Sequence, residues 1–282
     1  MCIVWGTTYL GIKIALETVP PFLMGGLRYV LAGLILAAFV RLRGDALPAR
    51  RTWPQLIVMG ALMLGLGNGG VVWGTQFLTS GLTAVLIATN PFWMVSVDAL
   101  VRPGQQFRRR EWLGLIVGFI GIVLLVWPEV MAGGSLGRSF LWGVIAVQIA
   151  CAGWALGSSY ARRDVGPADI IGAAALQMLF GGLLLLLAGT LLGEWPRLSF
   201  NFKTSMAFAY LTVVGSVVAF AAYSFALRHL DIAVVSLYTY INPVIAVALG
   251  AVVLGEPVTS RMIIASAIIV MGVVVVGPAK KH

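Results

Sequence analysis

Apolar residues fall in long runs along this chain, separated by short turns that carry charge, glycine or proline. The runs lie near 1–16, 22–40, 54–78, 83–101, 112–127, 139–161, 168–192, 204–227, 232–254 and 262–277. About 20 apolar residues in a helix cross roughly 30 Å of hydrocarbon. The pattern therefore predicts an all-α membrane protein with ten transmembrane helices joined by short loops. No small-residue cleavage site follows the opening run, which leads straight into Pro20-Pro21 and a second apolar run; it reads as a span and not as a cleavable leader.

Composition strengthens this reading: 60% of the 282 residues are hydrophobic and 10% charged, a balance that no soluble core of this size needs. The net charge of +9 does not indicate nucleic acid, because the cations sit in the gaps between apolar runs. With a cytoplasmic N-terminus, thirteen Lys and Arg fall in inside loops and four in outside loops, the remaining two, Lys13 and Arg28, lying within spans. The positive-inside bias then places both termini in the cytoplasm. Two cysteines, Cys2 and Cys151, offer neither a disulfide framework nor metal spacing, and no cofactor is expected.

The two halves repeat. Asn90 to Pro128 runs Asn-Pro, apolar stretch, polar turn and Gly-rich apolar helix ending in Pro, and Asn242 to Pro278 does the same. Gly6-Thr7-Thr8-Tyr9 matches Gly157-Ser158-Ser159-Tyr160, Leu27-Arg28 matches Leu176-Gln177, and Pro48 matches Pro196 at similar offsets. Residues 1–128 and 138–278 thus read as two copies of a five-helix unit. Since five is odd, the second copy enters from the opposite side, an inverted repeat. Only five residues precede Gly6, whereas span six starts far ahead of Gly157, so the first helix reads as clipped at its cytoplasmic end.

Trp5-Gly6-Thr7-Thr8-Tyr9, Pro20-Pro21-Phe22 followed by Leu27-Arg28-Tyr29, Gly67-Asn68-Gly69, and Tyr240-Ile241-Asn242-Pro243 with Gly255-Glu256 together resemble the EamA type of the drug/metabolite transporter superfamily. The resemblance runs nearly end to end. It implies a ten-helix carrier of two EamA repeats, often an exporter of amino acids or related metabolites. One departure stands in the first repeat, where the turn after span four reads Arg102-Pro103-Gly104-Gln105 and lacks the Gly-Glu of the second. A symmetrical role for Glu256 is therefore in doubt.

No P-loop pattern occurs, which points to a secondary carrier and not to an ATP-driven one. Polar side chains inside hydrocarbon usually face a cavity. Spans five and ten carry almost none, so the other eight are the ones able to line a path. Gly114, Gly118 and Gly121 give span five a close-packing face, for packing within one subunit or for a homodimer. The candidate substrate pathway is Trp5, Tyr9, Arg28, Asn68, Gln76, Asn90 and Asn242. Trp5, Tyr9 and Lys13 share one stripe of span one, and Thr75 and Gln76 lie two turns beyond Asn68, near its face. Asn90-Pro91 and Asn242-Pro243 place a proline within a helix and free a carbonyl, giving either a plain kink or an opened backbone that helps bind substrate. Lys13 and Arg28 admit two readings: a Lys13–Glu17 pair and a snorkelling arginine, or a cationic site in which the Arg28 fork holds a substrate carboxylate. The carboxylates read as near the spans are Glu17, Asp98, Glu111 and Glu129, and they form no evident proton relay.

These features favour a secondary transporter of a small molecule, with the lipid bilayer and the substrate as its partners. A facilitator or exchanger of another organic solute, a lipid flippase and a non-transporting scaffold are the alternatives. An intramembrane enzyme would need a base or metal ligands, and the histidines, His229 and His282, lie outside the apolar runs.

Overall fold

A computed structural model describes residues 2–101, 109–132, 134–161, 170–220, 222 and 238–276. These form helices α1 (Cys2–Ala15), α2 (Pro21–Leu42), α3 (Arg50–Thr75), α4 (Ser80–Ile87), α5 (Asn90–Val101), α6 (Arg109–Ala132), α7 (Gly134–Ala161), α8 (Ile170–Leu191), α9 (Phe202–Val218), α10 (Tyr238–Leu254) and α11 (Ser260–Val276), with no strand among the described residues. Four helices are individually long and apolar enough to cross a membrane: Pro21–Leu42, Arg50–Thr75, Gly137–Tyr160 and Ile170–Leu191. Shorter apolar helices run over Trp112–Trp127, Phe202–Val218, Ile241–Leu254 and Ser260–Gly272. The turn 102–105, the joining stretch before α10, both histidines, the basic residues 162, 163, 228, 280 and 281, and the side chains of Asp98, Glu111 and Glu129 lie outside the described residues.

Local chemistry sets the helix ends. Pro21 opens α2, where a missing N–H costs nothing. Asn201 and Thr204 close a reciprocal capping box at the start of α9. Gly193 and Gly255 follow α8 and α10 with φ of 67° and 65°, the left-handed region that favours glycine. Each is followed by a glutamate whose backbone N–H returns to the helix just ended, Glu194 to the Gly189 carbonyl and Glu256 to the Gly250 carbonyl. These turns aim both carboxylates back into the protein.

Helix α2 packs along α8, α6 along α11, α1 against α9 and α10, and α7 against α3 and α5. Glycines bring the first two pairs close. A Cβ at Gly26 or Gly182 would lie 2.7 Å from a backbone nitrogen across the α2–α8 seam. A Cβ at Gly272 would lie 2.7 Å from the Gly114 carbonyl and from the Gly118 nitrogen. The glycine face of α6 is therefore occupied by α11 and by Phe92 of α5 within one chain. The opposite face of α6 exposes Ile116, Phe119, Ile120 and Trp127, as a lipid-facing helix does.

The structure departs from the sequence pattern in two places. The apolar run 83–101 is not one helix: α4 ends at Ile87, and α5 begins at Asn90 with Pro91 in its first turn. Pro243, in the matching dipeptide, stays inside the continuous α10. In addition, Gly60–Asn68 of α3 and Leu211–Val218 of α9 are π-helical, and the amides just past them, Gly69 and Ala219, reach the carbonyls of Leu64 and Val214 five residues back.

Candidate functional site

A cavity of about 110 Å³ opens between the helices. It is lined from α1 by Trp5, Thr8, Tyr9 and Ile12, and from α2 by Arg28 and Tyr29. Gly67, Asn68 and Val71 of α3 face it, as do Ile87 and Asn90 at the break between α4 and α5. Ala150, Cys151 and Trp154 of α7, then Gly215 and Phe220, and finally Asn242 of α10 complete it. Among the described residues, none of α6, α8 or α11 lines it, so of the eight spans read as able to line a path the seventh does not reach this cavity.

Six of the seven predicted pathway residues, Trp5, Tyr9, Arg28, Asn68, Asn90 and Asn242, come together here. Gln76 does not. It is exposed just past the end of α3, and its amide donates to the Trp73 carbonyl at 3.1 Å. The sequence stripe through Trp5 and Tyr9 reaches the cavity, but Lys13 leaves it. Its ammonium donates to the carbonyls of Thr75 at 2.9 Å and Leu78 at 2.6 Å. The Lys13–Glu17 pair is thus replaced: Glu17 accepts from Lys203 at 2.6 Å on the surface, while Lys13 serves orphan carbonyls at a helix end.

Arg28 is the central charge. It is 4% exposed, stacks over the Tyr29 ring at 5.0 Å, and its Nε donates to the Ser216 hydroxyl at 2.7 Å. Among the described residues no carboxylate stands within ion-pair distance of it. Isolated charges are costly to bury, and the contacts of this guanidinium are a neutral hydroxyl and an aromatic ring. The Asn90 carboxamide oxygen is buried without a hydrogen-bond partner, a second unmet group on the cavity wall. The helix break that carries Asn90 is held from α7: the Gln148 carboxamide oxygen accepts from Thr89 Oγ1 at 3.1 Å and from Trp93 Nε1 at 2.9 Å.

Sequence reasoning missed Tyr29, Trp154, Cys151 and Ser216. Ser216 stands at nearly the offset from Asn68 that relates Arg28 to Gln177, so the repeat held a signal for it. It also missed Glu194 and the partners of Glu256, the carboxylates of the two Gly-Glu turns. Glu194, 2% exposed, accepts from the backbone N–H of Leu23 at 2.8 Å and of Phe22 at 3.4 Å, at the start of α2. Glu256 accepts from Ser80 N at 2.8 Å, Ser80 Oγ at 2.7 Å and Gly81 N at 3.2 Å, at the start of α4. Among the described residues, Glu194 in the same half makes the contacts that parallel those of Glu256.

A bundle of apolar helices around a central cavity with polar and aromatic walls defines a multi-pass membrane transporter. The EamA-like transporter family model matches residues 1–127 and 141–277, and the chain belongs to that family. It is 37% identical over 249 residues to the uncharacterized inner membrane transporter YedA of Escherichia coli (strain K12), covering 88% of this chain and 78% of that protein. It is 22% identical over 249 residues to the uncharacterized transporter YoaV of Bacillus subtilis (strain 168), covering 88% and 84%. A protein crystal structure shares its fold at a TM-score of 0.65, with 20% sequence identity, covering 98% of this chain and 94% of that one.

Proposed function

We propose that this chain is a secondary carrier of the inner (plasma) membrane that exports a small carboxylate-bearing metabolite, such as an amino acid. Its architecture in this reading is ten spans in two inverted five-helix repeats, 1–128 and 138–278, with both termini cytoplasmic. The substrate sits between the halves against Trp5, Tyr9, Arg28, Asn68, Asn90 and Asn242. The observation that carries the substrate class is the buried Arg28 guanidinium on the cavity wall, which has a serine and an aromatic ring beside it but no carboxylate among the described residues. A planar two-oxygen anion fits that fork through two hydrogen bonds.

Support for the inverted halves comes from reciprocal packing. Helix α2 meets α9 just as α8 meets α3, and α1 meets α10 just as α7 meets α5. Support for the membrane comes from YedA, which is named an inner membrane transporter. The test is counterflow of labelled amino acids in proteoliposomes holding the purified protein. Accelerated exchange of at least one amino acid is expected, with loss of exchange in Arg28→Gln. Exchange no faster than in empty liposomes for every amino acid overturns the substrate class. Labelling of single cysteines at positions 105 and 135 from opposite sides tests the orientation.

A further inference from the structure

Arg28 is presented to the cavity by another helix, and the way it is held bears on what it can bind. Ser216 is fully buried, and its one hydroxyl proton is committed to the Leu211 carbonyl at 3.2 Å. A lone pair is thereby turned toward Arg28 Nε, which donates to it at 2.7 Å. The π-helical stretch Leu211–Val218 makes this possible, because Leu211 stands five residues before Ser216 and a serine in an α-helix bonds four back. Helix α3 uses the same device: Asn68 Nδ2 reaches the Met63 carbonyl, also five residues back in a π-helical stretch, at 3.4 Å.

With Nε engaged, the free donors of the guanidinium are its two Nη groups. Beside them the wall is Gly215, where a Cβ would stand 3.2 Å from Arg28 Nη2 and 3.0 Å from Thr8 Cγ2. An alanine there would crowd the guanidinium and narrow the space in which an anion meets it.

We propose that Ser216 is a positioning residue and Gly215 a specificity-determining one. Ser216 fixes the plane of the Arg28 fork, and Gly215 leaves room for a carboxylate to dock edge-on against both Nη groups. This rests on the reading that Arg28 takes the substrate carboxylate, and it adds that the second half of the chain sets the geometry of a charge carried by the first.

The experiment measures counterflow kinetics in proteoliposomes, using the amino acid that the wild type exchanges fastest and the amide of that amino acid. Ser216→Ala is expected to raise KM for the amino acid by about tenfold, the worth of one lost hydrogen bond to a held group, with maximal rate within about twofold. Its effect on the amide, which has no carboxylate to dock, is smaller. Ser216→Thr, which keeps the hydroxyl, restores KM. Gly215→Ala raises KM for the amino acid in the same direction.

Equal losses for amino acid and amide in Ser216→Ala, without rescue by threonine, would show a packing role and overturn the proposal. A normal KM in Ser216→Ala while Arg28→Gln is impaired overturns the positioning role and leaves the Arg28 site standing. Wild-type kinetics in Arg28→Gln, or a wild type that exchanges no amino acid, removes the carboxylate site and this inference with it.

Discussion

The ammonium of Lys13 lies 2.6 Å from the carbonyl oxygen of Leu78, so a lysine of α1 closes the turn in which α3 ends. The last carbonyls of a helix lack intrahelical partners and carry its negative pole, which makes a cation there favourable. Lys13→Met keeps the stem and removes the donor. We expect it to cost about 1–3 kcal/mol of stability, read as a lower thermal midpoint in nanodiscs, while Lys13→Arg loses less. An unchanged midpoint in Lys13→Met would contradict the capping role.

The two glutamate caps should matter more than the surface ion pair. Glu194 and Glu256 each accept backbone N–H groups at the start of a first-half helix, and Glu194 does so fully buried. Glu194→Ala strands the Leu23 amide and should cost about 1–3 kcal/mol. Glu17→Ala breaks only the exposed Lys203 pair and should cost less than about 1 kcal/mol. Thermal unfolding followed by tryptophan fluorescence ranks the two, and the reverse order would rule out Glu194 as a structural cap.

Within the cavity, Asn68→Ala should lower substrate affinity by up to about tenfold, the worth of one uncharged hydrogen bond. Folded yield should be nearly intact. Arg28→Lys keeps the charge but loses the two-pronged geometry, so carboxylate substrates should suffer in proportion. Gln76→Ala, outside the cavity, serves as the control and should transport as wild type. Uptake assays at matched protein levels decide this; a Gln76→Ala defect as large as that of Asn68→Ala would mean that the cavity does not mark the pathway.

Gly118→Leu should fail for a different reason. A side chain there collides with the Phe92 ring, and the Gly118 backbone is in close approach to Gly272. The seam between α6, α5 and α11 has to open to admit it, so overpacking should reduce folded yield before any transport measurement. Fluorescence-detected size exclusion would show a smaller monodisperse peak than for Gly118→Ala.

Hydropathy located most of the described helices because hydrocarbon imposes the same demand on each apolar run, and Pro21, Gly193 and Gly255 stand within a few residues of helix ends. Features set by distant partners were not legible. Asn90-Pro91 opens a helix and Asn242-Pro243 does not, and at the first break Thr89 donates to Gln148 of α7, a contact that no pattern along the chain records. The π-helical stretches leave no mark in a pattern read at 3.6 residues per turn. The burial of Glu194 depends on α2 lying alongside α8 and leaves no signal in the local pattern. Of the cavity residues, Gln76 misled because it is eight positions past Asn68, about 80° round an α-helix and beyond its end. Arg28 and Asn90 were found because an unmatched polar group in an apolar run is conspicuous whatever it touches.

The Gly-Glu turns also bear on how the chain is made. Synthesis proceeds from the N-terminus, so α2 and α4 enter the bilayer before Glu194 and Glu256 exist to cap them. The first half is left with unanswered amides at the starts of two helices until the second is in place. Its folding is therefore completed by residues that are made after it. Expressed as two separate pieces, the first should persist only when the second is co-expressed, and truncation just before position 194 should be more damaging than truncation just after 256.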